Sequence, residues 1–153
     1  MKPRDLEQYL HDHIPLSRAM QVTVLHSSPD EVTLEAPLAP NINHQETVFG
    51  GSASAVAILA GWSLLHVRLA AAGIPNRLVI QRNTMHYDQP ISATFTAHAR
   101  LVNQEDWELF SRTLRRKGRA RLATRCELVS AGVPVGHLEA SYVALRQAAT
   151  AAQ

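Results

Sequence analysis

The chain is poor in cysteine, and this scarcity limits its chemistry. Cys126 is the only cysteine among 153 residues. A single cysteine excludes an internal disulfide, so we expect a reducing compartment. The first fifteen residues, MKPRDLEQYLHDHIP, are rich in charge and contain no apolar signal core. We therefore predict a cytoplasmic protein.

Charge is missing from one long stretch of the sequence. After Glu46 no charged residue appears until Arg68. The uncharged run Val48–Leu65 approaches the length of a membrane span. However, this run contains three glycines and three serines and is rich in alanine. A helix buried inside a protein fits that composition better, so we predict no membrane span.

The composition also argues against two kinds of partner. The formal net charge is +2, which is too small to indicate nucleic acid binding. The eight histidines are scattered and show no spacing typical of a metal site, so we predict none. The length fits one domain. We place it at residues 1–147, followed by a frayed tail at residues 148–153.

Hydrophobic periodicity predicts a mixture of helices and strands. A short helix is expected at Asp5–His13, and a long apolar helix at Gly51–Ala72. Segment 106–118, DWELFSRTLRRKG, is ambiguous between a short helix and an irregular strand. Alternating apolar and polar residues predict six strands, at residues 19–28, 31–38, 77–87, 92–102, 119–129 and 134–145.

These elements predict an α+β fold. A helix that is apolar nearly all round must be covered on most sides. Strands joined by tight turns form an antiparallel sheet, and a strongly curved sheet wrapped around the helix would cover it. One flank of the helix stays open in this arrangement. We therefore expect a homodimer or a dimer of dimers.

This arrangement resembles the hotdog fold, in which a sheet wraps a central helix. NHQETVFGG, residues 43–51, resembles the Asn-x-x-Gly-x-x-His-Gly-Gly loop before the central helix of many hotdog acyl-CoA thioesterases. MHYDQPISATFTAHARLV, residues 85–102, is similar to the Tyr-x-x-Pro segment that follows that helix. TVFGGS, LAGW and RRKGRAR are similar to the thioesterase domain at the C-terminus of YiiD proteins.

The resemblance implies an activity and its substrates. It implies hydrolysis of an acyl thioester carried by coenzyme A or by acyl-carrier protein, in fatty acid metabolism. No cofactor is implied beyond the coenzyme A or phosphopantetheine of the substrate itself.

The chain departs from the family pattern at three places. Phe49 stands where many relatives have His, and Glu46 stands where they have Gly. Those thioesterases also place Asp or Glu about two turns into the helix, a position that falls here near Ile58. No acid lies between Gly50 and Arg68. The resemblance therefore leaves the general base unassigned.

The first turn of the predicted long helix has the physical properties of a carbonyl-binding site. Its amides lack partners within the helix and lie at the positive end of the helix dipole. An oxyanion that develops near these N–H groups would be stabilised. His44 and Glu46 can ionise suitably, and Asn43 can orient water. The predicted catalytic residues are Asn43, Glu46, Thr47, Gly51 and Ser52.

A second set of residues is predicted to bind substrate. Trp62 either fills the core or lines the acyl tunnel. His86 and Asp88 are expected to reach the site across a dimer. The basic run at 115–117 either protects a sheet edge or binds the phosphates of coenzyme A or an acidic carrier protein. The predicted substrate-binding residues are Phe49, Gly50, Trp62, His86, Asp88, Arg115, Arg116 and Lys117.

Several alternatives stay open at this point. The Gly-Gly-Ser turn could simply cap a core helix. Ser52 in GGSAS resembles a nucleophile elbow, but the Gly two residues later is absent. A non-catalytic binding module for acyl-CoA or acyl-carrier protein accords with the missing helix acid. A hotdog dehydratase needs a His paired with an acid, a pattern that NHQETVFGG does not supply.

Overall fold

The computed structural model describes residues 1–148, in which a six-stranded sheet wraps one long helix. A 3-10 turn at Ala39–Asn41 precedes that helix. Most of the predicted frayed tail, residues 149–153, lies outside the described residues. The elements are α1 (Pro3–His13), α2 (Pro15–Ala19), β1 (Thr23–Ser27), β2 (Val32–Ala36), α3 (Gly50–Ala71), β3 (Asn76–Tyr87), β4 (Phe95–Leu101), α4 (Asp106–Lys117), β5 (Arg119–Ser130) and β6 (Val133–Arg146).

The sheet is antiparallel throughout. Its strand order is β1-β2-β4-β5-β6-β3. Strand β5 shows how the two faces differ, because Leu122 and Leu128 are buried on the inner face while Arg121 is exposed on the outer face. The alternation predicted for this strand is confirmed. The expected α+β architecture, a curved antiparallel sheet around a long helix, is confirmed as well.

Helix α3 fills the concave side of the sheet. It contacts strands β2 to β6, and 61% of its most apolar 18-residue window is buried. It is long and apolar enough to cross a membrane, but its burial is that of a core helix. At Gly61 the sheet approaches so closely that an added Cβ would lie 2.7 Å from both the Thr124 and Tyr142 hydroxyl oxygens. Small residues therefore let the helix and the sheet touch.

Strand β3 forms one edge of the sheet. It pairs with β6 on one side, and within residues 1–148 no strand pairs with its other side. Of its 12 residues only Leu78 is buried, and Val79 and Ile80 are exposed. A long edge strand of this kind presents unpaired backbone N–H and C=O groups to any strand that approaches.

The ambiguous segment after β4 is a helix. In α4 the side chains of Phe110 and Leu114 are buried, and Trp107 packs partly against the same core. This spacing of three and four residues puts them on one helical face. The guanidinium of Arg68 lies 4.6 Å from the Trp107 ring centroid. Gly118 ends the helix with a φ of 77°, a left-handed conformation that favours glycine.

The first predicted strand is too long. The sequence pattern predicted residues 19–28, but β1 contains only Thr23–Ser27. Pro15 begins the short helix α2 instead, and Gln21 then turns the chain with a φ of 55°. Proline suits the first turn of a helix because its missing N–H has no partner there. The alternation of residues before Thr23 therefore reflects a helix and a turn rather than a strand.

The single thiol lies deep in the sheet. Cys126 is fully buried on the inner face of β5. Burial raises the pKa of this thiol far above its ordinary value, and the nearby charge of Glu127 adds to the effect. The thiolate is the reactive form of cysteine, so Cys126 is chemically inert in the folded protein.

Candidate functional site at the N-terminus of the central helix

The loop before α3 is held together by Asn43 and Thr47. The Asn43 side-chain oxygen accepts hydrogen bonds from the Gln45 N–H at 2.9 Å and the Thr47 N–H at 3.2 Å. Its Nδ2 group donates to the Thr47 hydroxyl at 3.0 Å. The Asn43 N–H donates to the Thr47 carbonyl oxygen at 2.8 Å. These contacts fix the shape of the loop, so both side chains are already engaged within it.

Glu46 stands at the exposed tip of this loop. It adopts a φ of 63°, which is the left-handed region. Its side chain is exposed, as is that of His44. A residue other than glycine in this conformation is uncommon. This left-handed conformation agrees with the family pattern, because relatives carry Gly where Glu46 stands.

The first amides of α3 are unevenly satisfied. The N–H groups of Ser52 and Ala53 donate to the Phe49 carbonyl oxygen at 2.9 and 3.1 Å. The N–H groups of Gly50 and Gly51 have no acceptor among residues 1–148. Gly51 is exposed, and Gly50 is half-buried. Two unpaired N–H groups at the positive end of a 22-residue helix are suited to bind an oxygen anion or a polarised carbonyl.

Phe49 and Tyr87 flank these two glycines. A Cβ added at Gly51 would lie 2.3 Å from Cε1 of the Phe49 ring, which is 58% exposed. The Tyr87 hydroxyl donates a hydrogen bond to the Gly50 carbonyl oxygen at 3.0 Å. Tyr87 was missed in the sequence analysis, because a separation of 37 positions from Gly50 hides the contact. The only sequence signal was its place in the Tyr-x-x-Pro segment.

Asn41 was also missed. It is only 2% exposed, and its Nδ2 group donates to the carbonyl oxygens of Met20 at 3.0 Å and Pro37 at 2.8 Å. Its side-chain oxygen has no donor among the described residues. Asn41 lines the same cavity as Gly51 and Ser52. A buried acceptor without a donor is costly, and this side chain holds the wall of that cavity through its two bonds to backbone carbonyl oxygens.

Asp88 lies beside the loop within one subunit. It lines a cavity with Thr47, Val48 and Ala53, so a second subunit is not needed to bring it near the first turn of α3. Its Oδ2 atom is 3.7 Å from Nδ1 of His137. His137 in turn stacks on His86, with ring centroids 4.4 Å apart.

His86 itself faces the other way. It pairs with His137 in the β3–β6 register, whereas the neighbouring pair, Met85 and Leu138, points toward the core. Successive side chains of a strand point to opposite faces. His86 therefore lies on the outer face of the sheet, and the structure does not bring it to Gly51 within one subunit.

An apolar groove runs from the first turn of α3 along the helix. The mouth cavity near Gly51 shares Leu16, Met20 and Ala55 with a larger groove of about 420 Å³. We call the two together the helix groove. Trp62 lines it, so the indole is half-buried rather than wholly part of the core. Besides the shared three residues, the larger groove is lined by Ile14, Ile58, Leu59, Trp62, Leu78, Val79, Ile80 and Tyr142.

The basic run lies at the opposite end of α3. The Arg115 guanidinium donates to the carbonyl oxygen of Ala72, the residue after the helix, at 3.0 Å. Arg146 in turn donates to the Arg115 carbonyl oxygen. A helix of 22 residues is about 33 Å long. A coenzyme A with its thioester at Gly51 would therefore have to find Arg115, Arg116 and Lys117 on another subunit.

No metal site is evident in the part of the chain that the structure describes. Across residues 1–148 no group of three or more His, Cys, Asp or Glu side chains lies close enough to hold an ion. The Asp88, His137 and His86 side chains form a chain of contacts rather than a ligand set.

Solved structures of other proteins share this architecture. A protein of unknown function from Chlorobaculum tepidum TLS is 26% identical, with a TM-score of 0.89 over 95% of this chain and 94% of its own. A "putative thioesterase" from Shewanella oneidensis is also 26% identical, with a TM-score of 0.84 over 94% of this chain and 96% of its own. A thioesterase from Haemophilus influenzae shares the fold at 12% identity, with a TM-score of 0.77 over 95% and 92% of the two chains.

A family model agrees with these likenesses. The model YiiD_C, described as "Putative thioesterase (yiiD_Cterm)", matches residues 3–146. That match spans every helix and strand described above, and the neighbouring structures are hotdog-fold proteins of the same kind. The resemblance seen in NHQETVFGG and its neighbours is confirmed. The chain belongs to the YiiD_C family of hotdog-fold thioesterase domains.

Proposed function

We propose that the protein hydrolyses an acyl thioester of coenzyme A or acyl-carrier protein, with the carbonyl oxygen bound at the N-terminus of α3. One observation carries this proposal. The N–H groups of Gly50 and Gly51 have no acceptor among residues 1–148, and Gly51 lines the mouth of the helix groove. A thioester carbonyl fits these donors, and its acyl chain fits the groove. Thioester hydrolysis is also what membership of this family suggests.

The chemistry follows from the position of the charge. Water attacks the carbonyl carbon, and the carbonyl oxygen becomes an anion as the tetrahedral intermediate forms. The helix N–H groups stabilise that anion more strongly than the neutral carbonyl, which lowers the barrier. The carbon–sulfur bond then breaks, the thiolate leaves, and it takes up a proton. A base must accept the proton that the attacking water loses.

Two carboxylates are candidates for that base. Asp88 shares a cavity with Thr47 and Ala53 and lies 3.7 Å from His137. Glu46 is exposed at the tip of the loop. Asp88 is the better placed of the two, because it lines a cavity with residues of the first turn of α3; to reach the attacking water, its carboxylate would turn from His137 toward that cavity. Asn43 and Thr47 shape the loop in this proposal, and Ser52 offers a further donor to the substrate.

The site is proposed to work in a homodimer or a dimer of dimers in the cytoplasm. The exposed edge of β3, with Val79 and Ile80 beside the helix groove, suits pairing with a second copy of the chain. Pairing would cover the groove from its open side. It would also allow Arg115, Arg116 and Lys117 of another subunit to bind coenzyme A phosphates. Light scattering at micromolar concentration tests this assembly, and a monomer would contradict it.

A non-catalytic binding module is the second candidate. Helix α3 has no carboxylate between Gly50 and Arg68, and the amides of its first turn could hold a carbonyl without any reaction. Such a module would bind acyl-CoA or acyl-carrier protein through the same groove. It would release no thiol from the thioester.

The deciding experiment follows free thiol release from acyl-CoAs of graded length. Asp88→Asn should reduce turnover by about 100-fold or more if Asp88 is the base, because general base catalysis contributes about that much. Glu46→Gln tests the alternative base, and Glu108→Gln on the exposed surface of α4 is the matched control. Binding of a non-hydrolysable S-alkyl coenzyme A without thiol release from any acyl-CoA would favour the binding module.

A further inference from the structure

We propose that Trp62 closes the helix groove and restricts the protein to acyl chains of medium length. This inference rests on the proposed function, because it assumes that the thioester carbonyl lies at Gly51. It goes further by naming the class of acyl group and the residue that selects it. The ligand class is a straight, apolar chain.

The groove follows one face of α3. Gly51, Ala55, Ile58 and Trp62 all line it, and their spacing of three or four residues puts them on the same side of the helix. Among the α3 residues that line the groove, Gly51 is the first and Trp62 is the last. A chain that starts at the Gly51 amide and runs along this face therefore meets the indole at the far end.

The indole is fixed in place by contacts on two sides. Its Nε1 group donates to the Leu78 carbonyl oxygen at 3.1 Å, so the ring bridges α3 and the edge strand β3. The ring stacks on His66, with centroids 4.8 Å apart, and on Tyr9 at 6.3 Å. Tyr9 stacks in turn on His13 at 4.1 Å. A ring held in this way cannot swing aside without losing the hydrogen bond and the stack.

The lining of the larger groove selects an alkyl chain. It carries no charged side chain. Its one hydroxyl, that of Tyr142, already donates to the Ile58 carbonyl oxygen at 2.6 Å. A polar or charged group on the acyl chain would lose its hydration there and gain no partner. The groove therefore suits an unsubstituted chain better than a hydroxylated or carboxylated one.

The dimensions of the groove set the chain length. Gly51 and Trp62 are 11 residues apart, which corresponds to about 16 Å along the helix. The Trp62 side chain leans toward the N-terminus by up to about one turn, which leaves about 11 to 16 Å. An extended chain advances about 1.2 Å per bond, because one residue with its three backbone bonds spans at most about 3.6 Å. The space therefore accommodates about 9 to 13 bonds, which corresponds to chains of about 10 to 14 carbons.

Binding of S-(2-oxoalkyl) coenzyme A thioethers, which keep a carbonyl group but contain no thioester bond, tests the length limit without requiring hydrolysis. In the unchanged protein, affinity should rise by up to about fourfold per added methylene until the chain reaches Trp62, and then fall. Trp62→Ala should move the optimum to longer chains and improve binding of the S-(2-oxohexadecyl) thioether by about tenfold or more. Trp62→Phe should leave the optimum nearly unchanged, because it keeps a ring at that position.

Two further variants keep the test decisive. Trp107→Ala removes the other tryptophan, which lies in α4 away from the groove, and should not change the preferred length. Ala55→Leu narrows the groove near its mouth and should shift the optimum to shorter chains. If Trp62→Ala does not fold, the outcome for Ala55→Leu decides, and an unchanged optimum there overturns the inference.

The result separates this inference from the proposed function. Absence of thiol release, together with length-dependent thioether binding that shifts in Trp62→Ala, would remove the enzymatic proposal and keep the length limit. Hydrolysis with the same length profile in Trp62→Ala and the unchanged protein would keep the enzyme and overturn the limit. Affinity that does not change with chain length would show that the alkyl chain does not enter the groove, which also overturns the length limit.

Discussion

The Tyr87 hydroxyl donates a hydrogen bond to the Gly50 carbonyl oxygen at 3.0 Å, and this contact ties the end of β3 to the first residue of α3. The ring also lies against Gly50, since an added Cβ there would be 3.4 Å from Cε1 of Tyr87. The edge strand and the helix N-terminus are therefore coupled directly. A change at the edge strand can move the amides that are proposed to bind the thioester carbonyl.

Tyr87→Phe tests that coupling. It keeps the ring but removes the hydrogen bond, and because Tyr87 is 58% exposed the loss of stability should be small, about 0.5 to 1 kcal/mol. Thiol release should fall more than this loss of folded protein explains. The measurements are urea unfolding and turnover of one acyl-CoA. Tyr9→Phe is the control, because the Tyr9 hydroxyl has no partner within residues 1–148. Equal turnover in both variants would show that the tie is structural only.

Gly51→Val tests the carbonyl-binding turn. The added side chain must displace the Phe49 ring, which can move because it is 58% exposed. We expect a folded protein that has lost thiol release and no longer binds an S-(2-oxoalkyl) coenzyme A, because the branched side chain covers the helix amides that would bind the carbonyl oxygen. Ala71→Val, at the exposed far end of α3, is the matched control. If Gly51→Val is folded and fully active, or simply unfolds, the glycine serves packing instead.

Gly61→Ala should destabilise the fold through overpacking. The new Cβ would lie 2.7 Å from the hydroxyl oxygens of Thr124 and Tyr142, so the helix or the sheet must shift. We expect a loss of about 1 to 3 kcal/mol in the free energy of unfolding, measured by urea titration. Gly50→Ala is the control, because its Cβ would make only ordinary contact at 3.4 Å. Equal stability of the two variants would contradict this account of the helix–sheet contact.

His66 should make stability depend on pH. Burial lowers the pKa of His66, and the charge of His13 lowers it further. The unfolded chain then binds the proton more readily than the folded protein does. This contribution to stability is therefore fully present above the unfolded pKa, near 6.5, and is lost as the pH falls through the lower folded pKa. His66→Phe keeps a ring in the stack and should flatten the pH dependence of unfolding as the pH falls below about 6.5.

A control histidine sharpens that measurement. His44→Gln changes an exposed loop residue and should leave the slope as it is. The Nε2 atom of His66 is buried and has no partner among residues 1–148. A proton bound there would therefore have no hydrogen-bond acceptor. An unchanged slope in His66→Phe would assign the pH dependence to other groups.

The basic run is tested by its effect on the Michaelis constant. Replacing Arg116 and Lys117 by Ala should raise KM for acyl-CoA at low salt more than it lowers kcat, and the effect should shrink at high salt. Lys2 and Arg4, replaced together by Ala, are the control pair. Arg115→Ala is measured separately because its guanidinium bonds the Ala72 carbonyl oxygen. An unchanged KM would leave the run with a structural role at the end of α4.

Much of the fold was accessible from local patterns. Helix α3 was predicted at Gly51–Ala72 and is found at Gly50–Ala71. The prediction succeeded because a long uncharged run bounded by glycines is compatible with few structures other than a buried helix. Helix α4 was left ambiguous although its signals were present. Phe110 and Leu114 have helical spacing. Asp106 lies at the N-terminus and Lys117 at the C-terminus, where the helix dipole stabilises a negative and a positive charge, respectively. The many arginines that follow in β5 concealed the point at which the spacing of apolar residues changes from helical to the alternation of a strand.

The candidate site was only partly accessible, since it depends on contacts between distant segments. The Gly-Gly-Ser turn could be recognised from its own residues, but the Tyr87–Gly50 bond and the groove from Gly51 to Trp62 required the three-dimensional fold. The same limit applies to the basic run. Its charge was evident in the sequence, whereas its place at the far end of α3 follows from the packing of α4 against β5.

The buried thiol of Cys126 can report the unfolding of the sheet. Cys126 pairs with Leu138 of β6 and Ala99 of β4, in the middle of the sheet, so a thiol reagent cannot reach it while those strands are paired. Its labelling rate should therefore follow the opening of the central strands. With one thiol in the chain, each modified molecule records a single event, and mass spectrometry can count those events directly. The opening of the central strands can therefore be timed without introducing another cysteine.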